Sequence, residues 1–163
     1  MRLNPAAVTM ETAGGVAYQL NITLPTYSAL EGQPEAVLWV HESIRDDAWT
    51  LFGFLEETER ELFRQLVGVS GVGAGTARMI LSAIPAAELP GVIAGSDLRR
   101  LKGVKGVGAK TAERIIVDLR DKIKTGDATL IQQSPADSEV FEEALAALVM
   151  LGFTAQQSRR VLG

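Results

Sequence analysis

The sequence predicts an α+β protein in which a small N-terminal β-barrel precedes an all-α region and a short C-terminal helical region. Two changes in the hydrophobic pattern support this prediction. Apolar residues alternate with a period of two up to about residue 55 and then recur with a period near 3.6. A polar stretch without periodicity, residues 125–137, follows and predicts a flexible linker before the last helices. We therefore expect four segments, bounded at 1–57, 58–124, 125–137 and 138–163.

The barrel prediction rests on four strand-like runs in the first segment. They are Ala7–Glu11, Val16–Leu24, Ala36–His41 and Trp49–Phe54. An Ala-Gly-Gly break at residues 13–15 predicts a hairpin between the first two runs, and the acidic residues 42–47 predict a loop between the last two. Four or five short strands in so short a segment predict a small barrel.

The all-α region is predicted to begin at Thr58, which forms a capping box with Glu61. An apolar helical face follows, made of Leu62, Phe63, Leu66 and Val67. The pattern stays helical to about Ile123, with glycine turns between the helices. Pro90 is awkward within a helix and is expected to delay the start of one.

The C-terminal segment predicts two short helices. The first runs from Ser138 to a C-cap at Gly152, and the second opens at Thr154. Two short helices rarely bury enough surface to fold alone, so this region looks cut short at Gly163.

The charge of the chain is unevenly distributed. Residues 65–126 hold ten basic and five acidic residues, a net charge of +5, whereas the remainder carries −9 and the whole chain −4. A cationic module between anionic ones indicates a polyanionic partner.

Composition excludes several classes of function. The chain has no cysteine and one histidine, which removes disulfides, thiolate zinc sites and Cys-His or Ser-His catalysis. We therefore expect no catalytic residue, no metal and no cofactor. No apolar run approaches the roughly 18 residues of a membrane helix, and residues 1–5 lack the apolar core of a signal peptide, so a cytoplasmic protein without membrane contact is expected.

An internal repeat is the most informative feature of the sequence. Residues 66–81 align without gaps on residues 101–116, and ten of the sixteen positions are identical at an offset of 35. Each copy reads as a helix end, a Gly-Val-Gly turn at 71–73 or 106–108, and a helix start. Glycine reaches the backbone angles of such a turn cheaply and lets a ligand approach the chain. The amides of the turn and of the next helix then form an anion site that suits a phosphate.

Three interpretations of the repeat compete. The turns could be tight connections without a ligand. Residues 103–111 nearly match a P-loop, but Ala109 is one residue too many and no strand precedes the motif. The third interpretation is a pair of helix-hairpin-helix elements that hold nucleic-acid backbone without reading bases.

A longer series of motifs resembles the RuvA family, whose members bind Holliday junctions in the bacterial branch-migration machinery. The series comprises residues 55–64, 69–73 and 104–114, together with Leu51–Phe54, Val40-His41 before Arg45–Asp47, and Leu151–Phe153. This resemblance covers nearly the whole chain in order. It implies an OB-like barrel, a tandem helix-hairpin-helix domain, a linker and a small helical, UBA-like domain.

The resemblance also implies partners. Members of the family form homotetramers that hold a four-way junction open and square-planar, and two tetramers can sandwich the junction. A RuvB-type hexameric ATPase supplies the force for branch migration, and a RuvC-type resolvase is expected in the same complex. The chain itself would be a non-catalytic DNA-binding subunit. The alternative is a helix-hairpin-helix repair scaffold that recruits a nuclease or polymerase.

The family pattern implies roles for individual residues. The DNA contacts are expected at Gly71, Val72, Gly73, Gly106, Val107, Gly108 and Lys110, with Lys105, Lys102, Arg78 and Arg114 as further basic contacts. Asp46 and Asp47 match an acidic pin at the junction centre, and Arg45 either restrains the pin or balances its charge. Contact with the motor is expected at Leu148, Leu151 and Phe153.

The sequence departs from the family pattern at three places. The usual opening strand is expected to be missing or replaced by residues 1–5, which would leave the barrel incomplete. Gly75 stands where relatives often carry lysine, so the two phosphate sites are expected to be unequal. The end at Gly163 would remove the last helix of the motor-binding domain.

Overall fold

A five-stranded sheet forms the N-terminal part of the protein in this computed structural model, which describes residues 1–125. The strands are β1 (Arg2–Asn4), β2 (Ala7–Glu11), β3 (Ala17–Ile22), β4 (Trp39–Arg45) and β5 (Ala48–Phe54). Their order in the sheet is β1-β2-β3-β5-β4. The β3–β5 pair is parallel and the other pairs are antiparallel. The predicted hairpin around residues 13–15 is confirmed as the connection between β2 and β3.

The sheet differs from the predicted barrel because it is not closed. Within the described residues β1 and β4 each pair with a single neighbour and remain at the two ends of the sheet. The first strand pairs through three residues, and Pro5, which has no amide to donate, follows it directly. The opening strand therefore adds only three residue pairs at one end of the sheet.

Of the two expectations for the opening strand, replacement by residues 1–5 is the one that the structure agrees with, because β1 forms within them. Residues Arg2 to Asn4 pair with Thr9 to Ala7, and the side-chain oxygen of Asn4 accepts hydrogen bonds from the amides of Ala6 and Ala7 at 2.9 Å each. This Asx turn lets the chain reverse within two residues despite the proline.

The fourth strand extends further than the alternation of apolar residues predicts. It runs over Trp39–Arg45 and pairs with β5 to the end of both strands, where Arg45 faces Ala48. The predicted acidic loop of residues 42–47 is therefore reduced to the two-residue turn Asp46-Asp47. Cross-strand hydrogen bonds to β5 hold these polar residues in an extended conformation. Polar side chains are compatible with this strand because one of its faces is largely exposed.

A helix that the sequence analysis missed follows the third strand. This helix, α1 (Leu24–Leu30), buries Thr26 and Leu30, and Thr23 is its N-cap, with the Thr23 hydroxyl accepting from the Thr26 amide. Pro25 lies in its first turn. Threonine is a favoured N-cap, but Thr23 and the first helical residue, Leu24, lie within the apolar run of residues 16–24 that was predicted as a strand.

Five helices confirm the predicted all-α region. They are α2 (Glu57–Val67), α3 (Ala74–Ala83), α4 (Leu89–Ala94), α5 (Leu98–Lys102) and α6 (Ala109–Thr125). The predicted capping box was wrong, because the N-cap of α2 is Glu56, two residues before Thr58, and Glu56 makes no side-chain capping bond. Pro90 lies in the first turn of α4, where the missing amide costs nothing.

The sheet and these helices belong to one compact unit, Met1–Gly126. In the part of the chain that the structure describes, no helix has the length and apolar character needed to cross a membrane. The predicted linker beyond residue 125 and the predicted C-terminal helices, with Leu148, Leu151 and Phe153, lie outside the described residues.

Candidate nucleic-acid interface

The two copies of the sequence repeat fold into two hairpins with the same backbone geometry. The first joins α2 to α3, and the second joins α5 to α6. Gly71 and Gly106 both have φ of 89°, in the left-handed region that favours glycine. Gly68 and Gly103, which end the preceding helices, have φ of −69° in both copies. The repeat in the sequence is therefore also a repeat in the structure.

The valine between the two glycines of each turn is buried in the hydrophobic core. Val72 and Val107 are 5% and 6% exposed. Their amides donate hydrogen bonds of 3.0 Å within the turn, to the carbonyl oxygens of Val69 and Val104. Both valines were predicted to contact DNA through their amides, but the structure uses those amides to close the turn.

The amides that remain available belong to the next helix. In each hairpin the second glycine, Gly73 or Gly108, accepts the first intrahelical bond, from Ala77 or Ala112, at 2.9 Å. The amides of residues 74–76 and 109–111 precede this first donor, so they have no acceptor inside their helix. No side chain caps α3. Three aligned donors at the positive end of a helix dipole form an anion site.

The exposed lysines are concentrated on the second hairpin. Lys102, Lys105 and Lys110 are all exposed, and within residues 1–125 none of them forms an ion pair or a side-chain hydrogen bond. Lys110 is the second residue of α6, so its ammonium group adds to the positive end of that helix. These three predicted contacts are free to meet a phosphate.

The two predicted arginine contacts have partners inside the protein. Arg78 donates from Nη1 to the carbonyl oxygen of Ile22 at 3.2 Å, which ties α3 to the end of β3. Arg114 donates from Nη1 to the carbonyl oxygen of Ser70 at 3.1 Å and to its hydroxyl at 3.3 Å. The second arginine thus joins the second hairpin to the turn of the first. Neither side chain could be assigned these partners from sequence, because the partners are 56 and 44 residues away.

The predicted acidic pin forms the turn at the tip of β4 and β5. Asp46 and Asp47 are both exposed. Within the described residues Arg45 forms no ion pair with either of them, so neither role first considered for this arginine involves a direct contact. The two carboxylates therefore stand in solvent without a compensating cation in contact.

An aromatic cluster fixes the first hairpin relative to the sheet that carries the pin. Phe63 of α2 is fully buried, and its ring centroid lies 4.9 Å from those of Phe52 and Phe54 and 5.2 Å from that of His41. Burial lowers the pKa of His41, and the guanidinium groups of Arg64 and Arg60 lower it further. The imidazole therefore packs against Phe63 in its neutral form at neutral pH.

The sheet carries an apolar groove of about 580 Å³, and its lining includes Tyr18, Trp49, Leu51, Val37 and Glu42. Its lining includes no lysine or arginine. A groove with one carboxylate and no cation does not suit a phosphate, so it is distinct from the paired hairpins.

The sheet and the duplicated hairpins define a tandem helix-hairpin-helix protein of the kind whose backbone amides are arranged to bind anions. Known proteins agree with this class. The family model described as "SAM-like Helix-hairpin-helix tandem" matches residues 63–121, and the one described as "RuvA N terminal domain" matches residues 1–53. The chain belongs to the RuvA family.

Curated relatives support the assignment over nearly the whole chain. A protein of Bacteroides thetaiotaomicron is 49% identical over 98% of this chain and 83% of its own length. A protein of Parabacteroides distasonis is 47% identical over 99% of this chain and 84% of its own length. A protein of Porphyromonas gingivalis is 42% identical over 98% of this chain and 83% of its own length. Each is named Holliday junction branch migration complex subunit RuvA.

Proposed function

We propose that this chain binds Holliday junctions as the DNA-binding subunit of a branch-migration complex. One observation carries the proposal: the two hairpins repeat the same geometry, with φ of 89° at Gly71 and at Gly106 and a free helix N-terminus after each. Two backbone anion sites with the same turn geometry in one subunit suit two phosphates of one DNA arm. The names of the relatives, which describe subunits of a Holliday junction branch migration complex, support the same function.

The binding is independent of base sequence. Backbone amides and lysine side chains contact phosphates, and phosphate contacts position a protein on DNA without carrying sequence information. Gly71 and Gly106 shape the two turns through their positive φ, and Gly73 and Gly108 accept the first hydrogen bond of the following helix. The N-termini of these helices supply the donors, together with the side chains of Lys110, Lys105 and Lys102. Arg78 and Arg114 act mainly by holding the hairpins in place through their bonds to Ile22 and Ser70.

Selectivity for a four-way junction comes from the acidic turn. In a homotetramer with four-fold symmetry, Asp46 and Asp47 of the four subunits meet at the centre of a square-planar junction. Carboxylates repel the phosphates of a continuous duplex laid across that centre, whereas separated strands at a crossover avoid them. Two such tetramers can enclose one junction.

The subunit does no chemistry itself, so an ATPase must supply the force. A RuvB-type hexameric motor docks on the C-terminal segment through Leu148, Leu151 and Phe153, and a RuvC-type resolvase acts on the same junction. We place this function in the cytoplasm.

A comparison of a four-way junction with a linear duplex of the same sequence tests the proposal. Binding is followed by gel shift over a series of salt concentrations, with native mass measured on the same samples. The junction is expected to bind far more tightly than the duplex, in a complex that contains four subunits. Equal affinity for the two DNAs, or a monomer on the junction, would contradict the proposal. A shallow dependence on salt would instead favour a scaffold with incidental DNA affinity, because each phosphate contact contributes about −0.9 to the slope of log K against log salt.

A further inference from the structure

The two hairpins differ in charge although their backbones agree. The second hairpin carries Lys102, Lys105 and Lys110, whereas the first has Val67, Ser70 and Gly75 at the aligned positions. The first hairpin therefore has no basic side chain of its own between residues 66 and 77. If both hairpins hold phosphates, the first must obtain its cation from elsewhere in the fold.

Arg45 reaches the first hairpin from the sheet. It is the last residue of β4 and is exposed. A methyl group built on Gly73 would lie 3.7 Å from Nη2 of Arg45, so the guanidinium lies beside the N-cap of α3. Among the residues that the structure describes, none has an atom within 4 Å of the equivalent methyl group on Gly108, so the matching place in the second hairpin is open.

The position of this guanidinium is unfavourable without an anion. The N-terminus of a helix carries a partial positive charge, which repels a cation placed beside it. Within residues 1–125 Arg45 has no carboxylate partner and no side-chain hydrogen bond, although Asp46 and Asp47 are its neighbours in sequence. A phosphate between the helix N-terminus and the guanidinium would satisfy both.

We propose that Arg45 supplies to the first hairpin the phosphate-binding cation that Lys110 supplies to the second. This inference rests on the proposed function, because it assumes that both hairpins bind DNA backbone. Arg114 does not take this role, because its guanidinium already donates hydrogen bonds to the carbonyl and hydroxyl oxygens of Ser70. These bonds hold the turn of the first hairpin in place. The arginine also links the acidic turn to the first hairpin, because Arg45 directly precedes Asp46 in the chain.

Replacement of the arginine and rescue from the hairpin itself test the inference. The R45Q variant is expected to bind both junction and duplex about tenfold more weakly, and its salt slope should fall by about 0.9 for each phosphate that is no longer bound. The R45Q/G75K variant gives the first hairpin a lysine at residue 75, which aligns with Lys110 of the second hairpin. The lysine has room there, because no heavy atom of the described residues lies within 4 Å of a methyl group built at Gly75. Both the DNA affinity and the salt slope of this double variant are expected to return to the wild-type values.

The matched control is R45Q/G91K. Gly91 is also an exposed helical glycine with open space around its Cβ position, but it lies in α4, outside both hairpins. This variant carries the same net charge as R45Q/G75K and is expected to stay weak. Circular dichroism and thermal unfolding of all variants check that each is folded.

The outcomes separate this inference from the proposed function. Wild-type affinity and slope in R45Q, or equal rescue by G75K and G91K, would overturn the role of Arg45 while leaving junction selectivity intact. A gain of duplex binding in R45Q, as a weakened pin would give, would also overturn it. Failure of the wild-type chain to prefer a junction would instead contradict the proposed function.

Discussion

The carboxylate of Glu59 accepts a hydrogen bond of 2.8 Å from the hydroxyl of Thr23, and the bond joins the helical hairpins to the sheet. Glu59 belongs to α2 and is only 7% exposed. Thr23 is the N-cap of α1 and follows β3 directly. The buried side chain of Glu59 and its hydroxyl partners therefore lie where α2 packs against the sheet that carries the turn Asp46-Asp47.

Burial raises the pKa of Glu59 above its ordinary value of 4.5, and the hydrogen bonds from Thr23 and Thr26 offset part of this effect. The folded state therefore holds the proton more tightly than the unfolded state. The resulting stabilisation is complete below the unfolded-state pKa and is lost as the pH rises through the raised folded-state pKa.

We expect E59Q to be at least as stable as the wild type at neutral pH, because glutamine can accept the same bond without a buried charge. The advantage of E59Q should grow as the pH rises from about the ordinary pKa of glutamate toward neutrality. Urea unfolding of both proteins across this pH range measures the difference. E59A serves as the control and should be less stable by about 1–3 kcal/mol, because it removes the buried side chain that accepts the 2.8 Å bond from Thr23. A pH-independent difference between E59Q and wild type would contradict the raised pKa.

Local signals account for the parts of the fold that the sequence predicted correctly. The Gly-Val-Gly turns and the hairpin at residues 13–15 depend on residues adjacent in the chain, so they could be located without tertiary information. The missed helix α1 begins at the last residue of an apolar run that was predicted as a strand, and the full length of β4 depends on pairing with β5 rather than on its own composition. The open sheet is likewise a property of strand pairing.

The same distinction between local sequence signals and tertiary packing applies to the candidate site. The glycines and Lys110 could be chosen from the repeat alone. The internal partners of Arg78 and Arg114 could not, because Ile22 and Ser70 are brought to them by packing. The placement of Arg45 beside Gly73 also required the fold, since 28 residues of chain separate them.

Alanine at the left-handed glycine of a turn should destabilise the protein and weaken DNA binding. Gly106 has φ of 89°, and a side chain in this region costs about 1–2 kcal/mol. G108A is the matched control, because in the described part of the chain no heavy atom lies within 4 Å of a Cβ at either position, and Gly108 is not among the residues with positive φ. Thermal unfolding should show a lower Tm for G106A and little change for G108A. Equal effects of the two substitutions would contradict a conformational role for Gly106.

Removal of the charge of Lys110 should weaken junction and duplex binding alike. K110Q should lower the salt slope by about 0.9 if the lysine binds one phosphate. K122Q is the control, because Lys122 is exposed on the same helix but lies about 18 Å further along its axis. Fluorescence anisotropy at several salt concentrations gives both affinity and slope. If K110Q and K122Q changed the slope equally, the lysine would act through net charge and not through a contact at the second hairpin.

Neutralisation of the acidic turn should raise duplex affinity more than junction affinity. Asp46 and Asp47 are exposed and unpaired with Arg45, so D46N/D47N removes two charges with little expected effect on folding. If the carboxylates repel duplex phosphates, their loss relieves a penalty that the open junction never incurs, and the ratio of junction to duplex affinity falls. E31Q/E35Q changes the net charge by the same amount in the segment between α1 and β4, and both of its glutamates are exposed. Competition gel shifts with both DNAs measure the ratio for each variant. A ratio that falls equally in the two variants would mean that overall charge, and not the position of the carboxylates at the tip of β4 and β5, selects the junction.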